Sequence, residues 1–109
     1  LQAIIAVMTT DLAASAQGQS REIYKVGLNT TRLLMSLGDV VCSWLMLRQA
    51  EVALAALDGS PSEADQAFYT GKVAAARWFV RTVMPGLSAE RVRAELTELD
   101  VMDLDESAF

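Results

Sequence analysis

The side chains that most often carry out acid–base or metal chemistry are scarce in this chain. It has no histidine and a single cysteine, Cys42. Ser-His-Asp catalysis, Cys-His catalysis and histidine metal ligation are therefore excluded. The six glycines are dispersed, so no glycine-rich loop could cradle a phosphate between a strand and a helix. We predict no catalytic, cofactor-binding or metal-binding residue in the chain.

One carboxylate stands out by its position. Asp39 lies at the centre of a nearly unbroken apolar segment, residues 33–47, where an unpaired charge would lose much of its hydration energy. We expect a structural ion pair, with Arg77 or Arg81 on the neighbouring helix as partner. A catalytic or ligand-binding carboxylate and an exposed interface residue are the alternatives.

A second group of polar side chains could bind an anion. Tyr69, Lys72 and Arg77, with Arg81 one turn further on, could form an edge that meets a phosphate or carboxylate group of a ligand or partner. The alternative is an ordinary solvated helix face, because no second basic cluster converges on these residues in the sequence.

The spacing of apolar residues predicts helices throughout and no strand. We expect an all-α fold, an up-and-down bundle of about four helices with a long central helix. Residues 1–99 would form a single domain and residues 100–109 an acidic tail. The predicted helices are Leu1 to Ala16, a long one from about Glu22–Tyr24 to Leu57, a third that begins at Ser60 and Pro61 and ends before Pro85, and a fourth from Ser88 to about Leu99.

The third helix carries the clearest start signal and a distinctive stripe. Ser60, Pro61 and Glu63 have the spacing of a capping box, and Ser60→Ala should cost about 1 kcal/mol. Small and then large residues form a stripe along the same helix: Ala64, Phe68, Gly71, Ala75, Trp78 or Phe79, and Thr82. The stripe predicts close helix approach at Gly71 and Ala75.

The remaining large aromatic residues and the cysteine are assigned to the core. We expect Trp44, Trp78 and Phe79 to be buried, with a dimer seam as the alternative. Trp78→Ala should then cost about 3 to 5 kcal/mol. Cys42 is expected to be a buried free thiol.

Charge and hydropathy limit the partners and the location. The apolar segment is shorter than the roughly 20 residues that a membrane helix needs, so no transmembrane segment is expected. Residues 95–109 contain six acidic and no basic residues, which argues against nucleic acid as a partner of this part. A single cysteine gives no sign of an oxidising compartment, so we predict a cytoplasmic location.

Two stretches resemble a known domain. Residues 24–57 contain Gly-Asp-Val-Val-Cys-Ser-Trp at 38–44, and residues 68–85 contain Phe-Tyr-x-Gly-Lys-x-Ala-x-Ala-Arg-x-Phe at 68–79. Together they resemble the accessory helical domain at the C-terminus of a subgroup of bacterial acyl-CoA dehydrogenases, including the methylthiopropanoyl-CoA dehydrogenase type.

The resemblance implies a parent flavoenzyme that contains FAD and desaturates acyl-CoA thioesters between the α and β carbons. It places the glutamate base, the flavin and the acyl cavity in a dehydrogenase core, and no glutamate of this chain matches the base. The present piece is then expected to be inactive alone. It would cover that core, brace the subunit interface of a homo-oligomer or line an entrance for CoA.

A freestanding helical interaction or dimerisation module is the alternative interpretation. The chain opens directly on a hydrophobic helix face at Leu1, which favours excision from a longer protein. A natural start codon immediately upstream would favour the freestanding module instead.

Overall fold

The computed structural model describes all residues, 1–109, and contains helices without any strand. The predicted all-α class is confirmed. The four α-helices are α1 Gln2–Ala16, α2 Ile23–Asp58, α3 Glu63–Thr82 and α4 Gly86–Glu95. Three short 3-10 helices lie at Ser20–Glu22, Asp100–Asp103 and Glu106–Ala108. The ends of α1 and α2 lie close to their predicted positions, whereas α4 ends four residues before Leu99.

The central helix α2 is continuous over 36 residues. Gly27 and Gly38 do not interrupt it, and a Cβ atom added at either would meet no other atom within 4 Å. Because the helix extends well beyond both ends of the apolar segment, it is long and apolar enough by length and composition to cross a membrane. The apolar segment 33–47 covers only part of this helix, so its length does not decide the question. The absence of a transmembrane segment stays a prediction.

The start of α3 differs from the predicted one. Its cap is Ser62, whose side-chain oxygen accepts a hydrogen bond from the Asp65 backbone N–H at 3.3 Å. Ser60 has a φ of 57° and belongs to the turn that follows α2, where the Gly59 N–H donates to the Ala56 carbonyl. The prediction that Ser60 caps α3 was wrong by two residues, because Ser60 lies in the turn that ends the preceding helix.

The chain divides into two compact units. The first comprises residues 1–36 and 88–109, and the second comprises residues 37–87. The second unit is a helical hairpin, in which the C-terminal part of α2 and α3 are joined by residues 59–62. The buried side chains of this hairpin are small: Ser43, Ala50, Ala53 and Ala76.

The large apolar side chains are distributed differently from the expectation. Trp44 and Trp78 are 61% and 62% exposed, Cys42 is exposed, and Phe79 is half-buried. The assignment of both tryptophans and Cys42 to the core was wrong. Their hydrophobicity predicted burial of these three residues. Alanine and serine line the contact between the helices instead, and the larger side chains lie outside that contact.

The predicted close approach on α3 is also displaced. Gly71 and Ala75 are exposed, and no atom would contact a Cβ added to Gly71. Ala76 is the buried small residue of this helix, at 2% exposure. The stripe that contains Phe68 and Trp78 is therefore largely exposed rather than packed against α2.

Candidate functional site

A groove of about 540 Å³ runs between α2 and α3 in the second unit. Its walls are mostly apolar, and its polar atoms come from an arginine, a glutamine, a tyrosine and a lysine. The lining residues are Leu45, Arg48, Gln49, Val52 and Ala53 of α2, with Phe68, Tyr69 and Lys72 of α3.

Aromatic rings and a lysine occupy the α3 side of this groove. The rings of Phe68 and Tyr69 meet edge to face, with centroids 5.4 Å apart. The Lys72 ammonium lies 5.3 Å from the Phe68 ring centroid, close enough for a cation–π contact, and forms no ion pair. Arg48 pairs with Glu51 at 2.6 Å, with both side chains largely in solvent. Lys72 is therefore the cation of this groove that has no carboxylate partner.

The predicted polar edge is divided between two places. Tyr69 and Lys72 lie in the first groove, whereas Arg77 and Arg81 line a separate groove of about 290 Å³. The other residues of that second groove are Leu47, Ala50, Val73, Ala76 and Val80. The structure thus keeps Arg77 and Arg81 apart from Tyr69 and Lys72.

Sequence reasoning missed Arg48 as a member of the first groove. The signal was present, because residues equally far from the turn of a helical hairpin face each other. With the turn at 59–62, the turn of α2 that contains Arg48 and Gln49 faces Lys72. The spacing of residues within one helix does not reveal such pairs, since it describes each helix separately.

Asp39 has no basic partner in the structure. It is half-buried and belongs to none of the ion pairs of the protein, so the expected pair with Arg77 or Arg81 is not formed. Because part of its surface remains in solvent, the carboxylate keeps hydration that full burial would remove. The expectation of a buried ion pair was therefore wrong.

The first unit contains a buried polar network. Asn29 is fully buried, and its amide donates to the Lys25 carbonyl at 3.1 Å and to the Thr97 hydroxyl at 3.0 Å. Its oxygen accepts from Arg32 at 3.0 Å, and Arg32 also pairs with Glu90 at 2.5 Å. The hydrogen bond from Arg32, together with the nearby Arg93, holds the pKa of Glu90 below its usual value. This network joins α2 to α4.

A charged cluster connects the 3-10 helix before α2 with the acidic tail. Arg21 pairs with Asp103, and the contact raises the already high pKa of the guanidinium. Lys25 pairs with Glu22 at 2.8 Å, and this hydrogen bond raises the pKa of Lys25. No group of three histidine, cysteine or carboxylate side chains is placed to hold a metal ion. These ion pairs stabilise the fold.

Comparison with known proteins gives a consistent assignment. A family model described as Acetyl-CoA dehydrogenase C-terminal like matches residues 1–105. The broad-specificity linear acyl-CoA dehydrogenase FadE5 of Mycobacterium tuberculosis is 44% identical over 109 residues, which are 100% of this chain and 18% of that protein. Butyryl-CoA dehydrogenase of Syntrophomonas wolfei is 34% identical over 85 residues, 77% of this chain and 14% of that protein. The chain spans less than a fifth of the length of either relative.

Proposed function

This chain belongs to the Acetyl-CoA dehydrogenase C-terminal-like family, and we propose that it is the C-terminal helical part of an acyl-CoA dehydrogenase. In this proposal the whole protein is a flavin-dependent enzyme that desaturates acyl-CoA thioesters. The chain itself is a structural element that packs on the catalytic core or at the subunit interface.

The observation that carries the proposal is the distribution of apolar side chains. The buried apolar residues are Ile4, Ala50, Ala53, Ala76 and Ala94, whereas both tryptophans and Phe68 are more than half exposed. A protein that functions alone rarely leaves so much contiguous apolar surface in water. A helical element that completes a larger protein would cover that surface in its native setting.

The residues of the chain do not fit a flavin. The first groove offers Arg48 and Lys72 as cations, but Arg48 is engaged by Glu51 and both side chains are exposed. The three helices that begin after a loop or turn present no glycine-rich segment to a pyrophosphate. We therefore assign FAD and the glutamate base to the part of the enzyme outside this chain. No step of the reaction is assigned to these residues.

The location and assembly of the whole protein are further parts of the proposal. The cytoplasmic location and the homo-oligomeric state stay predictions. A dehydrogenase core of the same protein is the partner that the proposal requires, and acyl-CoA is the substrate of that core.

The test is purification of the native protein from its source with an antibody raised against this chain. Intact mass, flavin absorbance and oxidation of acyl-CoA with an artificial electron acceptor would be measured on one preparation. A chain several times longer than 109 residues that carries flavin and oxidises acyl-CoA is the expected result. A native chain of about this length without flavin would overturn the proposal and favour a freestanding interaction module.

A further inference from the structure

One side of the hairpin in the second unit carries a set of exposed apolar side chains, which we call the hairpin face. On α3 it consists of Phe68, Gly71, Ala75 and Trp78, which follow one another at helical intervals and share one side of the helix. On α2 it consists of Val41, Cys42, Leu45 and Val52. The two halves belong together because Phe68 lines the first groove with Leu45 and Val52.

The large side chains of the hairpin face are open to solvent. Phe68 is 58%, Trp78 62% and Val52 68% exposed, and Val41 and Leu45 are each exposed by more than 40%. None of the residues of the face is charged. Burying a Phe, Val or Leu side chain is favourable, so leaving this set in water costs stability that a covering partner would recover.

The other sides of the hairpin are better adapted to water. The polar side of α3 carries Gln66, Arg77 and Arg81, all exposed. The stripe of α2 that contains Trp44 also holds the exposed ion pair between Arg48 and Glu51. The hairpin face carries the large exposed apolar side chains, and its polar neighbours Arg48, Gln49 and Lys72 lie along the groove. The face is therefore the side of this unit that is best suited to permanent burial.

We propose that the hairpin face is the surface through which this chain docks on the polypeptide that precedes Leu1 in the native protein. The inference rests on the proposed function and specifies which surface makes the contact. Its support is the length of the relatives: the chain accounts for only 18% and 14% of two acyl-CoA dehydrogenases that it resembles over 100% and 77% of its length. A relative of that size supplies enough polypeptide to cover the face.

Lys72 adds a chemical constraint on the docking segment. Its ammonium lies at the edge of the hairpin face, over the Phe68 ring, and has no carboxylate partner within this chain. We expect the docking segment to place a carboxylate or the carbonyl end of a helix beside Lys72, because a cation left without a partner at a closed interface would lose hydration.

The test is photo-crosslinking within the full-length native enzyme. Trp78 is replaced by the photoreactive residue p-benzoylphenylalanine, and Gln66, on the polar side of α3, is replaced in the same way as the matched control. After irradiation, mass spectrometry of proteolytic fragments identifies the peptide joined to each position. Flavin content and acyl-CoA oxidation are measured on the same preparations before irradiation.

The expected result is a crosslink from position 78 to a peptide that precedes Leu1, with little or none from position 66. A crosslink from position 78 to the hairpin face of a second copy or to lipid would overturn the proposal. So would the absence of any crosslink from a preparation that retains flavin and activity. A native chain that begins near Leu1 and lacks flavin would instead refute the proposed function, and the intact mass alone would show this.

A second measurement needs no variant. Cys42 is exposed in this chain and belongs to the hairpin face, so its thiol reports whether the face is covered. In the native full-length protein we expect an alkylating reagent to modify Cys42 only after denaturation. Rapid modification of Cys42 in the folded, flavin-containing enzyme would contradict the docking surface.

Discussion

Asn29 contributes a buried polar link between α2 and the segment that follows α4. It is fully buried and uses both ends of its amide, donating to Thr97 and accepting from Arg32. Asn29→Ala would leave these partners without it, at a cost of about 1 to 3 kcal/mol. We expect faster amide hydrogen exchange across α4, by about tenfold for each 1.4 kcal/mol lost. Thr10→Ala is the control, since the exposed Thr10 hydroxyl bonds only to the Ala6 carbonyl. Equal exchange in both variants would contradict the role of Asn29.

Glu90 makes the same contact dependent on pH. Its pKa is lowered by the hydrogen bond from Arg32, so the ionised form is favoured in the folded state. The stabilisation is fully present above the ordinary glutamate pKa of about 4.3 and is lost as the pH falls through the lower pKa of the folded state. We expect Glu90→Gln to lower the melting temperature at pH 6 and to differ little from the parent protein once Glu90 is protonated. A difference that persists unchanged at pH 3 would refute this account.

At the scale of an element, the start of α3 shows which of two candidate serines caps the helix. Two serines precede the helix, and Ser62 alone caps it, through the Asp65 N–H. Ser62→Ala should therefore destabilise the hairpin by about 1 kcal/mol. Ser60 holds a left-handed φ, which disfavours any residue with a Cβ atom, so Ser60→Gly should be neutral or slightly stabilising. Denaturant unfolding of the two variants checks both signs, and a larger loss from Ser60→Gly than from Ser62→Ala would restore Ser60 as the cap.

At the scale of the whole molecule, replacing the exposed Phe68 and Trp78 should have opposite effects on the isolated chain and on the full-length protein. The isolated chain should self-associate as its concentration rises, because its apolar surface is uncovered. Replacing Phe68 and Trp78 by lysine should reduce this association in light-scattering measurements. The same double variant should destabilise the full-length enzyme, where each side chain is an interface anchor that can contribute about 2 kcal/mol or more. Gln66→Lys is the control and should change neither property. A double variant that leaves the full-length melting temperature unchanged would contradict coverage of these residues.

The exposure of Trp78 also revises the expected effect of its truncation. A cost of about 3 to 5 kcal/mol applies to a buried aromatic residue, and Trp78 is 62% exposed within this chain. We now expect Trp78→Ala to change the denaturation midpoint of the isolated chain little. A large loss there would show that Trp78 is covered by self-association or by other residues of the chain.

The sequence by itself determined the all-α class, the approximate ends of α1 and α2, and the lack of histidine chemistry. It also carried the resemblance to the C-terminal domain of acyl-CoA dehydrogenases, which the family match over residues 1–105 confirms. These conclusions follow from local properties, since helical periodicity, glycine and proline positions and residue types act within a few residues of one another.

Only the tertiary structure decided which apolar residues lie inside. Trp44, Trp78 and Cys42 have core composition but face solvent, while alanines fill the helix contacts. The polar Asn29 is fully buried, and one of the partners that satisfy its amide, Thr97, lies 68 residues away in the sequence. The hydrophobic effect favours removing apolar side chains from water, but it does not specify which residues cover them. A core and a docking surface therefore have the same sequence pattern, and only the packing of the helices distinguishes them.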